Sequence, residues 1–414
     1  MTPPLRVLIE ARLDRGTSGG VETVLQGLAR GLSTIDDQVH TFLIHGGDAG
    51  WLTDHLGPNA QLIRHDSARP RSAAGWRASL DVRAPALAES LRVLQWRSAS
   101  IRTRAGMGGI LPPPPLDTHE FDVVHFPFQS GFRTSTPSVF QPHDLQHHHL
   151  PELFRRGDRA RRDATYRALC DQASRVVVGT RWVANDLARW RVDGAKLRVV
   201  NLAPLPRRAD ATDPLPLVVT GAFALYPAAT WPHKNHARLL RAVALLREQG
   251  LTVPLVLTGL LTTHASALID LASELRIADD VHFLGFVSDG ALATLYAQAH
   301  AVVVPTLFES ASFPVWEAFA AETPVACSNV TSLPEQVGGG AVLFDPYDVT
   351  AIAAGLRRVW TDTSERATLI AAGRRQLSGL SWEKTAAHMA AVYRDAAGVA
   401  SADDIATLAA SSLL

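Results

Sequence analysis

Short apolar runs that do not alternate with polar residues constrain this chain more than any other feature. "LRVLIEA", "FDVVHFP", "SRVVVGT" and "AVVVPTL" are rich in β-branched residues and bounded by Gly, Pro, Asp or Thr. A strand with one wet face alternates in polarity, whereas a strand apolar at nearly every position needs cover on both faces. That pattern fits a parallel sheet flanked by helices. "VHTFLIHG", "SVFQPHD" and "LRVVNLAP" belong to the same set in the first half. "LVVTGAF", "VPLVLTG", "DVHFLGF" and "TPVACSN" belong to it in the second. Helical stretches such as "VETVLQGLARGL" and "NHARLLRAVALLREQG" separate them. Strand and helix alternate through both halves, so the expected class is α/β, with two doubly wound domains.

A chain of 414 residues exceeds one ordinary core, and two domains of roughly 200 residues follow. The polar, Pro-rich "APLPRRADATDPLP", Ala203 to Pro216, reads as the linker. The expected division is residues 1–205, residues 206–381 and a closing helix over 382–400, "SWEKTAAHMAAVYRDAA". The tail from Ser401 onward is expected to be loosely held.

Composition removes several classes of function. Hydrophobic residues make up 47% and charged residues 19%, with a formal net charge of zero. No global field then favours nucleic acid, and no nucleic-acid partner is expected. Two cysteines, Cys170 and Cys327, cannot build a disulfide framework, which suits a reducing compartment. No run of about 18 apolar residues suggests a membrane span, and "MTPPLRVLIEARLDRG" reads as a first strand instead of a secretion signal. The expected location is cytoplasmic. One segment, Arg69 to Arg104, interleaves arginine with Trp76 and Trp96 before "GMGGILPPPP". It is either a solvated helical insertion or a peripheral surface for an anionic acceptor or the headgroups of a membrane's inner face.

Four stretches carry residue types with chemistry. In "RGTSGGVETV", Gly19 and Gly20 let backbone N–H groups approach a phosphate at a helix N-terminus, or form only a tight turn. The GxGxxG fingerprint is absent, as is an acid after the second strand, which argues against a nicotinamide oxidoreductase. In "TWPHKNHARLL", Lys234 lies in a loop before a helix, where a cation suits phosphate; the other reading is a surface lysine. Lysine occurs only at Lys196, Lys234 and Lys384, which sharpens the first reading. In "FQPHDLQHHHLPELF", His143 ends a strand, and His147 to His149 follow. Successive helical positions do not share a face, a third ligand is not evident, and no metal site is expected. Finally, "FESASFPVWEAF" sets Glu309 and Glu317 eight positions apart. On one continuous helix they would be about 12 Å apart, too far for a glycosidase pair. With the helix starting near Phe313, Glu309 falls in the loop and Glu317 one turn in, leaving open N–H groups between them. That arrangement suits sugar hydroxyls, a ribose and phosphates together.

These motifs in this order resemble the family 4 retaining glycosyltransferases of GT-B fold. "GGVE", "DVVHFP", "HD", "PHKNH", "VHFLGF", the paired glutamates and "SWEKTA" carry the resemblance across nearly the whole chain. The "PHKNH" and "HDLQHHH" variants look most like bacterial polysaccharide mannosyltransferases. The resemblance implies two Rossmann-like domains facing across a cleft, the donor on the C-terminal domain, the acceptor on the N-terminal one, and a final helix that crosses back. It implies a glycan or lipid-linked acceptor and a nucleotide-sugar donor, GDP-mannose or another nucleotide diphosphate sugar, with no further cofactor. By position, Glu309 would hold the transferred sugar's hydroxyls and Glu317 the ribose. Backbone groups of Ala311, Ser312 and Phe313 would meet sugar and diphosphate, and Phe286 with Val287 would line the base pocket. Lys234 would neutralise the diphosphate, Gly19 and Gly20 would bring backbone to it, and His143 would stand near the donor sugar. The catalytic set is then Glu309, Lys234 and His143.

The chain departs from the family pattern twice. Ala229 occupies the usual arginine position, so Thr230 or an arginine from elsewhere is expected to compensate. "ESAS" replaces the common "EGFG", which narrows the backbone options. The different-class alternative is a non-catalytic nucleotide-sugar binder or assembly scaffold. An epimerase or phosphorylase of the same fold is a further one.

Overall fold

The computed structural model describes residues 3–13, 20–47, 49–65, 85–104, 116–206 and 221–413, with backbone alone for 85, 99–104 and 411–413. Gly19, most of the Ala203–Pro216 linker, residues 69–84 and "GMGGILPPPP" lie outside the described residues. The chain divides into two compact units, Met1–Leu202 with Trp382–Leu414, and Ala203–Ser381.

The first unit is built on a seven-stranded sheet: β1 (Leu5–Glu10), β2 (Gln38–Ile44), β3 (Ala60–Arg64), β4 (Val123–Phe126), β5 (Ser138–Phe140), β6 (Arg175–Val178) and β7 (Leu197–Val199). Its order is β3-β2-β1-β4-β5-β6-β7, with every pairing parallel. Val7, Leu8, Ile9, Val123 and Val124 are fully buried, as two-sided cover of the central strands demands. The order reverses between β1 and β4, which creates a switch point at the strands' carboxyl ends.

The closing helix, Trp382–Ala396, packs on the helix Gly20–Leu32 within this unit. Glycine makes the approach feasible: a Cβ on Gly27 would fall 1.9 Å from the Trp382 ring, and one on Gly31 2.2 Å from the Trp382 carbonyl oxygen. Polar contacts then fix the helix. Asp395 takes a bidentate pair of bonds from Arg175, at 2.6 and 2.6 Å, and its Oδ2 accepts two more from Arg198, at 3.0 and 2.8 Å. The Tyr393 hydroxyl meets His125 Nδ1 at 2.9 Å, and Gln38 donates to the Ala390 carbonyl at 3.1 Å. The tail corrects the sequence reading: Ala402–Leu413 is a helix, anchored where Arg394 makes 2.7 and 3.0 Å bonds to Asp404.

The second unit carries β8 (Ala224–Pro227), β9 (Leu255–Thr258), β10 (Val281–Gly285), β11 (Ala301–Val304), β12 (Val325–Ser328) and β13 (Ala341–Phe344). Its order, β10-β9-β8-β11-β12-β13, is again parallel and reverses between β8 and β11. Within the described residues β8 starts at Ala224, directly after "LVVTGAF", whose first four residues lie outside them. Gly221, at φ 105°, bends the backbone ahead of it, and pairing with Leu255 and Ala301 fixes where β8 starts.

The helix Pro85–Arg104 packs against the helix Arg156–Gln172, and the Gly157 N–H donates to the Glu89 carboxylate. Its outer face shows Leu87, Leu91 and Leu94, which are 54%, 44% and 65% exposed. Among the described residues no helix is long and apolar enough to cross a membrane.

Candidate active site

The second unit gathers most of the sequence-nominated residues at the carboxyl ends of β8 and β11, on either side of its switch point. After β8 the chain makes one short turn, Pro232–Lys234, and enters the helix His236–Glu248. Asn235 joins them in the left-handed region at φ 61°, which Asn tolerates better than most residues. Its buried side-chain amide donates to the carbonyls of Pro305 and Pro346, both at 2.8 Å. From the other side, the Leu307 N–H donates to the His233 carbonyl at 2.7 Å. The lysine loop is thereby tied to the loop after β11.

Across this junction Lys234 Nζ meets Glu309 Oε1 at 2.6 Å, with side chains 22% and 11% exposed. Tyr226, buried on β8, donates its hydroxyl to the Lys234 carbonyl at 2.9 Å. Burial, assisted by the negative charge of Glu309, raises the Tyr226 pKa well above its ordinary value, so the phenol stays a donor.

The segment Thr331–Gln336 clamps the Glu309 loop. Thr331 Oγ1 accepts from the Glu309 N–H at 3.1 Å and donates to the Glu309 carbonyl at 2.6 Å. Ser332 Oγ donates to the same carbonyl at 2.8 Å. Gln336 brackets Ser312, accepting its N–H at 2.8 Å and donating to its carbonyl at 2.6 Å. The Ser312 N–H is therefore committed to protein. Among the described residues the N–H groups of Ala311 and Phe313 have no protein acceptor.

The helix Phe313–Ala320 starts where the sequence indicated, with Pro314 in its first turn, where a missing N–H costs little. Ser312 stands at the N-cap position without capping, and its buried Oγ has no hydrogen-bond partner. An uncapped N-terminus beside a lysine is a ready anion site. One turn in, Glu317 is buried, and its Oε2 accepts from the Tyr296 hydroxyl at 2.8 Å.

Thr230, nominated to compensate for the missing arginine, lies in the loop after β8. It is 3% exposed; its hydroxyl accepts from the Thr262 N–H at 2.7 Å and lies 3.1 Å from Thr262 Oγ1. It thus pins the loop after β8 to the loop after β9. Phe286 follows β10, two strands from β8, and is 82% exposed beside partly buried Val287. A large aromatic left this open offers a stacking face.

The remaining nominated residues belong to the first unit. Gly20 opens the helix after β1. His143 follows β5 at φ 67°, with Nε2 2.7 Å from the Pro127 carbonyl oxygen. Burial lowers its pKa, against the opposing pull of that carbonyl and of Asp144.

Sequence reasoning missed Tyr226, Tyr296, Thr331, Ser332 and Gln336. Only Asn235 carried a local signal, as an Asn just ahead of a helix.

Known proteins bear on the same two regions. The model described as "Glycosyl transferases group 1" matches residues 210–376, and "Glycosyltransferase Family 4" matches residues 114–203. Together they take in more than half of the chain. The chain belongs to the glycosyltransferases.

Relatives agree with that family. The glycosyltransferase chain is 36% identical over 173 residues to O-antigen chain mannosyltransferase B of Escherichia coli, covering 42% of this chain and 45% of that protein. It is 38% identical over 173 residues to the MMP alpha-(1->4)-mannosyltransferase of Mycolicibacterium hassiacum, covering 41% and 42%. These matches span less than half the length of either relative. A D-inositol 3-phosphate glycosyltransferase of Streptomyces avermitilis is 28% identical over 399 residues, covering 91% and 83%. Among solved structures, the sucrose-phosphate synthase of Thermosynechococcus elongatus superposes with a TM-score of 0.66 at 20% identity, over 94% of this chain and 98% of that one. HepE of Anabaena, solved with UDP and glucose, gives 0.66 at 18% identity over 93% and 98%. At these identities the structures establish the fold, two Rossmann-like parallel-sheet domains of the GT-B glycosyltransferase type.

Proposed function

We propose that this glycosyltransferase moves a hexose, mannose, from GDP-mannose to a hydroxyl of a glycan or lipid-linked acceptor, with retention at the anomeric carbon. The observation that carries the reading is the 2.6 Å Lys234–Glu309 pair across the second unit's switch point, beside an uncapped helix N-terminus. Mannose is supported by the names of the Escherichia coli and Mycolicibacterium relatives.

Each residue then has a role. Lys234 keeps Glu309 with one N–H and offers others to the diphosphate. The N–H groups of Ala311 and Phe313 meet the same charge, while Ser312 holds the loop through Gln336. Glu309 accepts from sugar hydroxyls, Glu317 from the ribose, and Phe286 with Val287 stacks on the base. By resemblance, Gly19 and Gly20 bring backbone to phosphate, and His143 stands beside the donor sugar.

In the reaction, the bond between the anomeric carbon and the diphosphate oxygen breaks and negative charge collects on the leaving group. Fixed donors stabilise it without reorganisation. The acceptor oxygen bonds to the anomeric carbon on the face being vacated, and its proton passes to a phosphate oxygen. Catalysis is then positioning and electrostatics, and turnover is expected to be insensitive to EDTA. The exposed Leu87, Leu91 and Leu94 support peripheral contact with a membrane surface; co-sedimentation with anionic liposomes at low salt checks it, and no co-sedimentation refutes it.

The test of function is product analysis with GDP-mannose and polysaccharide or lipid-linked acceptors. Release of GDP with an α-linked product by NMR supports the reading, because the donor's anomer is α. A β-linked product refutes retention. Binding of donor without turnover across the acceptor panel would favour the non-catalytic reading, for which the Ala229 departure is the supporting observation.

A further inference from the structure

Three ligand-type atoms converge in the first unit, on residues given no role above. His147 Nε2 lies 3.1 Å from Asp163 Oδ1, His148 Nε2 lies 2.6 Å from the same oxygen, and the three atoms all fall within 4.8 Å of one another. Among the described residues no other group of three His, Cys, Asp or Glu ligands comes so close. We propose that His147, His148 and Asp163 bind one divalent first-row cation.

From sequence, successive residues of a regular helix do not share a face and no third ligand is evident. Both points yield to the fold. Gln146–His149 is a single turn, followed by non-helical backbone at Leu150. The two rings stand with centroids 4.6 Å apart and planes tilted by 49°, so both reach one point. The third ligand comes from the helix Arg156–Gln172, sixteen residues beyond His147. A cation about 2.0–2.2 Å from imidazole nitrogen and carboxylate oxygen separates its ligands by about 3–3.5 Å. His147 and Asp163 already stand at that spacing, 3.1 Å apart, and His148, a third exposed and packed on Trp190 on its other side, must draw back from 2.6 Å. His147 is fully buried against Tyr166 and Phe154, at 5.4 and 6.3 Å between centroids, and provides the fixed ligand. Two imidazoles and one carboxylate suit Zn²⁺ or Fe²⁺ with open positions for water, and suit Mg²⁺ or Ca²⁺ poorly.

His149 stands outside the set, its Nε2 2.8 Å from Asp186 Oδ2. His147 Nδ1 is buried without a hydrogen-bond partner. A metal-ligating histidine usually donates from its second nitrogen, and lacking that partner weakens binding by about 10–100-fold. The expected affinity is therefore below that of a site whose second nitrogen is also held. The bound ion would cross-link the turn after β5 to the helix Arg156–Gln172, stiffening the segment that also carries His143.

The experiment is calorimetric titration of Zn²⁺ into the full-length, tag-free protein, with Co²⁺ absorption as a second probe of the ligand field. Wild type and His149→Ala are expected to bind one equivalent and to melt higher with Zn²⁺. His148→Ala and Asp163→Asn are expected to bind roughly tenfold or more weakly. His148 is part-exposed, so its variant should keep the fold, and circular dichroism checks both variants. Absence of saturable binding by wild type, or equal binding by folded His148→Ala and Asp163→Asn, would overturn the site.

Discussion

Lys234 and Glu309 neutralise one another, and each is held by a backbone that cannot drift. Tyr226 and Asn235 fix the lysine side, and Thr331, Ser332 and Gln336 fix the glutamate side. Removing the lysine leaves a largely buried carboxylate unpaired and, under the proposed function, takes a donor from the leaving group. Lys234→Ala is expected to lower kcat/KM by about 10²–10³, the loss typical of one transition-state donor. Gln336→Ala leaves the reacting groups intact but releases Ser312, so the lost alignment should lower kcat more than it raises KM. Steady-state kinetics separates the two, and a Gln336→Ala enzyme with unchanged kcat would remove the clamp from the account. Lysine scarcity and the spacing of the glutamates made Lys234, Glu309 and Glu317 legible in the sequence. The clamp was not, because its residues lie more than twenty positions from their partners and a hydroxyl or amide reaching a carbonyl leaves no periodic trace. The Thr230–Thr262 contact left no trace for the same reason.

Among the elements, the closing helix depends on glycine and charge together. Gly27→Ala puts a methyl group inside the Trp382 indole, and overpacking of this kind costs about 1–3 kcal/mol. Asp395→Ala strands two arginines that are 26% and 22% exposed. With that much solvent access the expected loss is about 1–3 kcal/mol, below that of a fully buried pair. Both variants should show lower urea midpoints, and a wild-type midpoint in both would mean that this packing contributes little. "SWEKTAAHMAAVYRDAA" was legible as a helix from its apolar spacing. Its seat was not, since Gly27 and Gly31 look like ordinary helix-weakening residues until the partner is present. The Ala402–Leu413 helix was missed because one Arg394–Asp404 contact outweighs a composition that reads as a fraying end.

For the molecule as a whole, the two doubly wound sheets were legible because buried parallel strands must be apolar throughout. Which strands would flank each switch point was not, since strand order is set by crossovers that composition does not encode. Three buried histidines set a molecule-wide response to acid. Burial lowers His40 to about 4, His125 to about 3 and His236 to about 3, against about 6.5 unfolded. The unfolded chain binds these protons first, so the stability they confer is present above pH 6.5 and drains away as pH falls towards the folded values. Each should cost about 1.4 kcal/mol between pH 7.5 and 5.5, read as a falling urea midpoint. A midpoint flat over that range would contradict buried neutral imidazoles. The most direct test of the central claim, a nucleotide-sugar site at the second unit's switch point, is calorimetric titration of GDP-mannose into wild type, Lys234→Ala and Glu317→Gln. Glu317→Gln keeps an acceptor for Tyr296 while removing the charge. Wild type should bind one equivalent, and both variants should bind about tenfold or more weakly. Absence of binding to GDP-mannose and to UDP-sugars alike, or equal affinity in variants that melt like wild type, would contradict that claim.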